Sequence, residues 1–181
     1  MKQLSILALI LTFGAANIYA EQEQVGMTFS GTNEHGPVVV QPGMGTNDQT
    51  VAGKSSLGDF TYHELLVQTI SPSGTCAGIV NFQITTGGGV FRFADGSLLI
   101  TKLGEGSICV NFPILGTFPT ATVTESFQVT GGTGRFNNAS GTIVFTATWK
   151  AVLFDSSMTP VLFAVSGGEA TGTIALPGDS R

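Results

Sequence analysis

Apolar and polar residues alternate along most of the chain beyond residue 57, and a period of two marks half-buried strands. Residues 58–70 put Phe60, Tyr62, Glu64 and Leu66 on one face and Thr61, His63, Leu65 and Val67 on the other. Residues 77–85 set Val80, Phe82 and Ile84 against Asn81, Gln83 and Thr85; Gly87-Gly88-Gly89 breaks the run, and residues 90–94 resume it. Further strands read as 98–103, 107–112, 120–130 and 142–154, and 161–176 as a last strand or a bent pair. Upstream, residues 21–24 are a charged, mobile lead-in, 25–30 and 38–40 are short strands, and 34–37 is a turn. Residues 41–56, rich in Gly, Thr, Asn and Gln, read as a long loop. No stretch carries capped helical periodicity.

Short Gly and Pro turns join these strands, which implies an antiparallel all-β domain. Asp95-Gly96 between two strand-like runs predicts a hairpin closed by a type I′ turn. Thr124 to Phe145 holds two alternating stretches around a hinge with three glycines in four residues, Gly131, Gly132 and Gly134. About eight strands in up-and-down order would close into a barrel and abolish sheet edges. The expected organisation is therefore a signal peptide (1–20), N-terminal strands with a flexible loop (21–56), a barrel core (57–176) and a tail (177–181).

The hinge resembles the signature of the allene oxide cyclase and dirigent barrels, and of secreted bacterial proteins with a Gly-Gly-(Thr/Ser)-Gly-x-Phe-x-x-Ala-x-Gly pattern. Gly131, Gly132, Thr133, Gly134, Phe136, Ala139 and Gly141 fall on it. Ser56-Leu57-Gly58, followed by Phe60-Thr61, resembles the run that opens the bacterial barrels. The resemblance implies an antiparallel up-and-down eight-stranded barrel, often trimeric, so a homo-oligomer is expected. It carries no catalytic residue over, because the early strands do not align and the shared motif is structural.

Lys2, the apolar run Leu4–Phe13 and Ile18-Tyr19-Ala20 read as a signal peptide cleaved before Glu21. The run is too short for a membrane span. Export makes the two cysteines, Cys76 and Cys109, a candidate disulfide, and the expected location secreted or periplasmic. Twelve acidic residues face seven scattered basic ones, which argues against a nucleic-acid partner. An outer-membrane barrel would want aromatic girdles; beyond residue 20 the chain has one Trp and one Tyr.

Candidate chemistry follows from strand parity. If Arg92, Lys102 and Lys150 face water, then Phe91, Phe93, Phe145 and Trp149 turn inward, and the same logic turns Phe82 and Phe127 inward. These six are the expected ligand-contacting set. Glu125 shares the inward face with Val123 and Phe127. A carboxylate there is costly unless paired, protonated or placed near a barrel mouth that water reaches, and the mouth is the expected place. Glu125, Glu64 and Tyr62 are the candidate catalytic residues. Neither a cofactor nor a metal is expected. His63-Glu64 lacks the second His of a zinc helix, having Val67 there. The hinge lacks the last glycine of a dinucleotide fingerprint, Gly53-Lys54-Ser55 lacks a P-loop's first glycine, and no nucleophile elbow occurs. Three functions stay open: a barrel that binds a small hydrophobic or aromatic molecule in its lumen, a cyclase or dirigent-like enzyme, and a structural module.

Overall fold

The computed structural model describes residues 21–36, 41–70, 73, 74, 76, 77, 80–111, 118–154 and 161–176. The expected signal peptide, the brief strand at 38–40, the tail and most of the turns at 71–74 and 155–160 lie outside these residues. Eight strands form a closed barrel: β1 (Glu21–Gly36), β2 (Met44–Ser55), β3 (Gly58–Thr69), β4 (Val80–Phe93), β5 (Leu98–Asn111), β6 (Thr120–Gly132), β7 (Ser140–Phe154) and β8 (Val161–Leu176). Each strand pairs antiparallel with its sequence neighbour, and β1 pairs with β8 to close the wall. The expected all-β, up-and-down architecture is the one observed.

Several segment boundaries need correction. Residues 44–55 are not loop but β2, in unbroken register with β3 from Met44↔Thr69 to Ser55↔Gly58. Its inward positions include Asn47 and Gln49, both buried, so the strand lacks the apolar alternation that would reveal it. Residues 21–24 and 34–36 are not lead-in and turn but the two ends of β1. β4 continues through Gly87-Gly88-Gly89 as one strand, with a bulge at Thr85 just before them that shifts the inward positions from even to odd numbers. There a side chain at Gly89 would overlap the Tyr62 ring and hydroxyl, so glycine makes room for that ring. The segments 98–103 and 107–111 are one strand, β5, with a bulge opposite Ser126. β8 is likewise continuous.

The two ends of the barrel differ. At the lower end, the β6–β7 hinge folds into a single helical turn, Gly134–Phe136. Gly131 (φ 134°) and Gly134 (φ 60°) supply the positive φ expected of the hinge. Phe136 is fully buried and packs 4.8 Å from Phe93. Arg135 lies over both rings, 4.9 and 4.7 Å from their centroids, and donates to the Leu57 carbonyl. It also pairs with Asp95 at 3.3 Å, so one side chain ties three lower connections together. The Asp95-Gly96 hairpin is present, but only Gly96 has positive φ (83°). Phe93 accepts from the Gly96 N–H and donates its own N–H to Ser97, the three-residue connection with a left-handed glycine rather than type I′. At the upper end, β1 leads into β2, β3 into β4, β5 into β6 and β7 into β8.

Cys76 and Cys109 form a disulfide with 5.9 Å between Cα atoms. It fastens the segment between β3 and β4 to β5 near the upper end. Cys109 lies between the buried Ile108 and Val110 in sequence and therefore on the outer face.

Candidate functional site

Buried polar side chains are unevenly placed in the interior. Its lower half is apolar: Val25, Met27, Phe60, Phe93, Leu99, Val129, Ile143 and Ile174 are all buried there. The middle is a packed aromatic layer. Tyr62 stacks on Phe91 (4.2 Å between centroids, 29° between planes) and on Phe145 (5.4 Å, 22°). Phe127 meets Phe145 edge-on at 5.5 Å, an arrangement that aromatic quadrupoles favour. Thr101 donates its hydroxyl to the Gly89 carbonyl and keeps a lone pair for the Tyr62 hydroxyl, 3.3 Å away.

The upper half mixes the two: Leu66, Ile84, Ile108, Val123, Ala147 and Trp149 are buried there as well as polar side chains. Asn33, Asn47, Gln49, Glu64, Glu125 and Ser166 are all buried, and all stand on inward-facing positions of their strands. Asn33 is the register partner of Gln49, which is in turn the partner of Glu64. The Gln49 amide nitrogen donates to Glu64 Oε1 at 3.0 Å. Glu125 stands on β6, paired in register with Phe145 of β7 and Gly106 of β5.

Polar groups here outnumber their partners. Buried atoms without a hydrogen bond include Asn33 Nδ2, Asn47 Oδ1, Gln49 Oε1, Glu64 Oε2, Gln68 Oε1, Glu125 Oε1, Trp149 Nε1 and Ser166 Oγ. Every one belongs to an inward position on the upper side of the aromatic layer. Each such group costs about 1–3 kcal/mol unless water or a guest satisfies it.

Burial also acts on the carboxyl groups. The Glu125 carboxyl is pushed up to about 8 by desolvation. Glu64 is raised well above the ordinary carboxylate range by burial first and then by repulsion from Glu125, with the Tyr62 hydroxyl opposing the rise and Asp48 adding to it. Tyr62 is raised by burial and by Glu64. Near neutral pH, Glu125 therefore carries a proton that an exposed glutamate would have lost.

The sequence-predicted residues are thus brought together in part. Tyr62, Glu64 and Glu125 share one lumen. Glu125 is 2% exposed and sits against the aromatic layer, not at a mouth that water reaches. Its neighbours Val123 and Phe127 are as inward as their parity indicates. Of the six aromatic candidates, Phe91, Phe127 and Phe145 contact one another or Tyr62. Phe93 belongs to the lower plug, and Phe82 is half-buried against the core. Trp149 stands higher, with Ser166 as its register partner. Arg92, Lys102 and Lys150 are exposed, as parity requires. His63 points outward and pairs with Asp48 at 2.8 Å, whereas His35 occupies an inward position near Gly45. The two histidines stand on opposite faces of the wall and cannot share a metal.

Sequence reasoning missed Asn33, Asn47, Gln49 and Ser166. No apolar flank marked their strands. A cavity of about 840 Å³ straddles the upper rim of β5–β8. It touches outward residues such as Asn111, Thr122 and Lys150 as well as the inward Ala121, Trp149 and Ser166.

Comparison with known protein families, curated proteins and solved structures returned no match. What the structure shares with the expectation drawn from the hinge is the eight-stranded antiparallel barrel.

Proposed function

We propose that this chain is an exported barrel that holds a small molecule in the upper half of its lumen. The guest has an apolar or aromatic body and a polar end. One observation carries this reading: buried side-chain polar atoms without a partner gather on one side of the aromatic layer, while the other side is apolar. Natural interiors keep few such groups, and a cluster of them calls for ordered water or a ligand. The cavity beside Trp149 meets that lumen at Ala121, Trp149 and Ser166 and otherwise lies on the outer face of β5–β8. The disulfide suits an oxidising compartment and so supports export. Native mass spectrometry of protein purified from its exporting host, with Trp149 fluorescence during titration of aromatic alcohols, ketones and amines, tests the reading. Retained or saturable guests are expected. A spectrum of bare protein together with silence toward the whole panel would remove it.

A second reading, a cyclase or dirigent-like enzyme that steers a reactive intermediate, is favoured by Glu64 and Glu125. Two carboxyl groups with raised affinity for protons in one lumen can donate and accept a proton near neutral pH. Turnover by the wild type that disappears in Glu125→Gln, with binding retained, is its signature.

A further inference from the structure

We propose that the guest is a protonated organic amine, its ammonium group held by Glu64 and Glu125 and its body resting against the Tyr62–Phe145 layer. This inference rests on the lumen-binding reading and names the class of ligand.

The charge inside the wall is one-sided. Two carboxyl groups face the lumen, Glu64 and Glu125, both at least nine-tenths buried. The described Lys and Arg residues, Lys54, Arg92, Lys102, Arg135 and Lys150, are all exposed. His35, the inward histidine, is half-buried, and burial lowers its affinity for a proton, so it supplies no cation at neutral pH. Nothing among the described residues neutralises the pair from within.

The unpartnered atoms are equally one-sided. Asn47, Gln49, Glu64, Gln68 and Glu125 each present an acceptor oxygen without a donor. Against them stand two unpartnered donor nitrogens, Asn33 Nδ2 and Trp149 Nε1, and the Ser166 hydroxyl, which can donate or accept. Gln49 cannot turn to mend this, because its nitrogen is already spent on Glu64 Oε1. An ammonium group brings up to three donors and no acceptor, the complement of this set. A carboxylate or phosphate guest would add acceptors where unpartnered acceptor oxygens already predominate, and its charge would oppose ionisation of either carboxyl. A divalent metal would want six or more oxygens, and no group of three or more His, Cys, Asp or Glu occurs among the described residues. The aromatic layer adds ring surface, which attracts cations.

Entry of a cation would expel the proton that Glu125 holds in the empty lumen. The titratable groups that act on Glu64 are Glu125 on β6, Tyr62 on β3 and Asp48 on β2, whereas Glu125 is shifted by burial. Binding should therefore release protons and tighten as pH rises toward 8.

The test uses the disulfide-bonded chain and four probes: 2-phenylethylamine, 2-phenylethanol, phenylacetate and calcium chloride. Calorimetry at pH 6, 7 and 8, in buffers of differing ionisation enthalpy, is read beside Trp149 fluorescence. The amine is expected to saturate, with Kd falling by up to about tenfold per pH unit and about one proton released per molecule. Glu125→Gln is expected to weaken the amine at least about tenfold more than it weakens the alcohol and to abolish most proton release. Should that variant not fold, the wild-type pH slope and proton count decide alone, with Glu64→Gln as a second variant. Alcohol binding as tight as amine, without proton release, would overturn the amine inference and leave the lumen reading standing. Saturation by calcium with no response to the amine would replace it with a metal site. Failure of all four probes would overturn it together with the reading beneath it.

Discussion

A raised carboxyl inside the barrel reverses the usual dependence of stability on pH. The folded chain holds the Glu125 proton to about pH 8, against 4.5 for an unperturbed glutamate. Because the folded state binds the proton more tightly, Glu125's contribution is complete below 4.5. It declines as pH rises and is lost above 8. Between pH 5 and 8 the linkage relation gives a loss of about 3.5 kcal/mol from this one group. Glu64 acts in the same direction. His35 acts oppositely: its lowered proton affinity makes folding less favourable as pH falls below 6.5. That contribution cancels when wild type is compared with Glu125→Gln, since both keep His35. Urea unfolding followed by Trp149 fluorescence at pH 5 to 8 is the assay. With a urea dependence of about 1–3 kcal/mol/M, the Glu125 term alone moves the midpoint by about 1–3 M. Near pH 5 the two proteins should be close in stability, and near pH 8 the variant should be the more stable by about 3 kcal/mol. Parallel pH profiles, or a wild type that gains on the variant toward pH 8, would refute the burial of an unpaired carboxyl on which both proposals rest.

Two further outcomes follow from the wall itself. Opening the Cys76–Cys109 bridge with Cys76→Ser in a Cys109→Ser background should cost about 3–4 kcal/mol, the chain-entropy value for a loop of 33 residues; urea midpoints with and without reductant check it, the double variant being insensitive to reductant. Gly89→Ala should push Tyr62 out of its stack and cost about 1–3 kcal/mol, whereas Gly26→Ala, where a side chain meets nothing, should stay near wild type in thermal unfolding.

The barrel was legible wherever large apolar residues alternate with polar ones. β6 and β7 announce themselves through Val123, Phe127, Phe145 and Trp149, and the hinge glycines mark their junction. Glu125 could be turned inward from the same parity because its neighbours are apolar. β2 was illegible for the opposite reason. Asn47 and Gln49 point inward, so the rule that equates inward with apolar fails along the stretch that builds the polar site. The depth of Glu125 could not be read either, because parity gives the face of a strand and not the height in a barrel. That height depends on how far each strand slides past the next, which the register alone reveals. The role of Arg135 could not be read at all, because it depends on Leu57, Phe93 and Asp95, which reach it only when three lower connections meet.

The unequal ends also set the kinetics of exchange. With Phe136 buried and Arg135 drawn across the lower connections, the vessel has a packed floor, and exchange through that end needs the hinge to open. Filling space around Phe136 would stiffen that floor without touching the upper half of the interior.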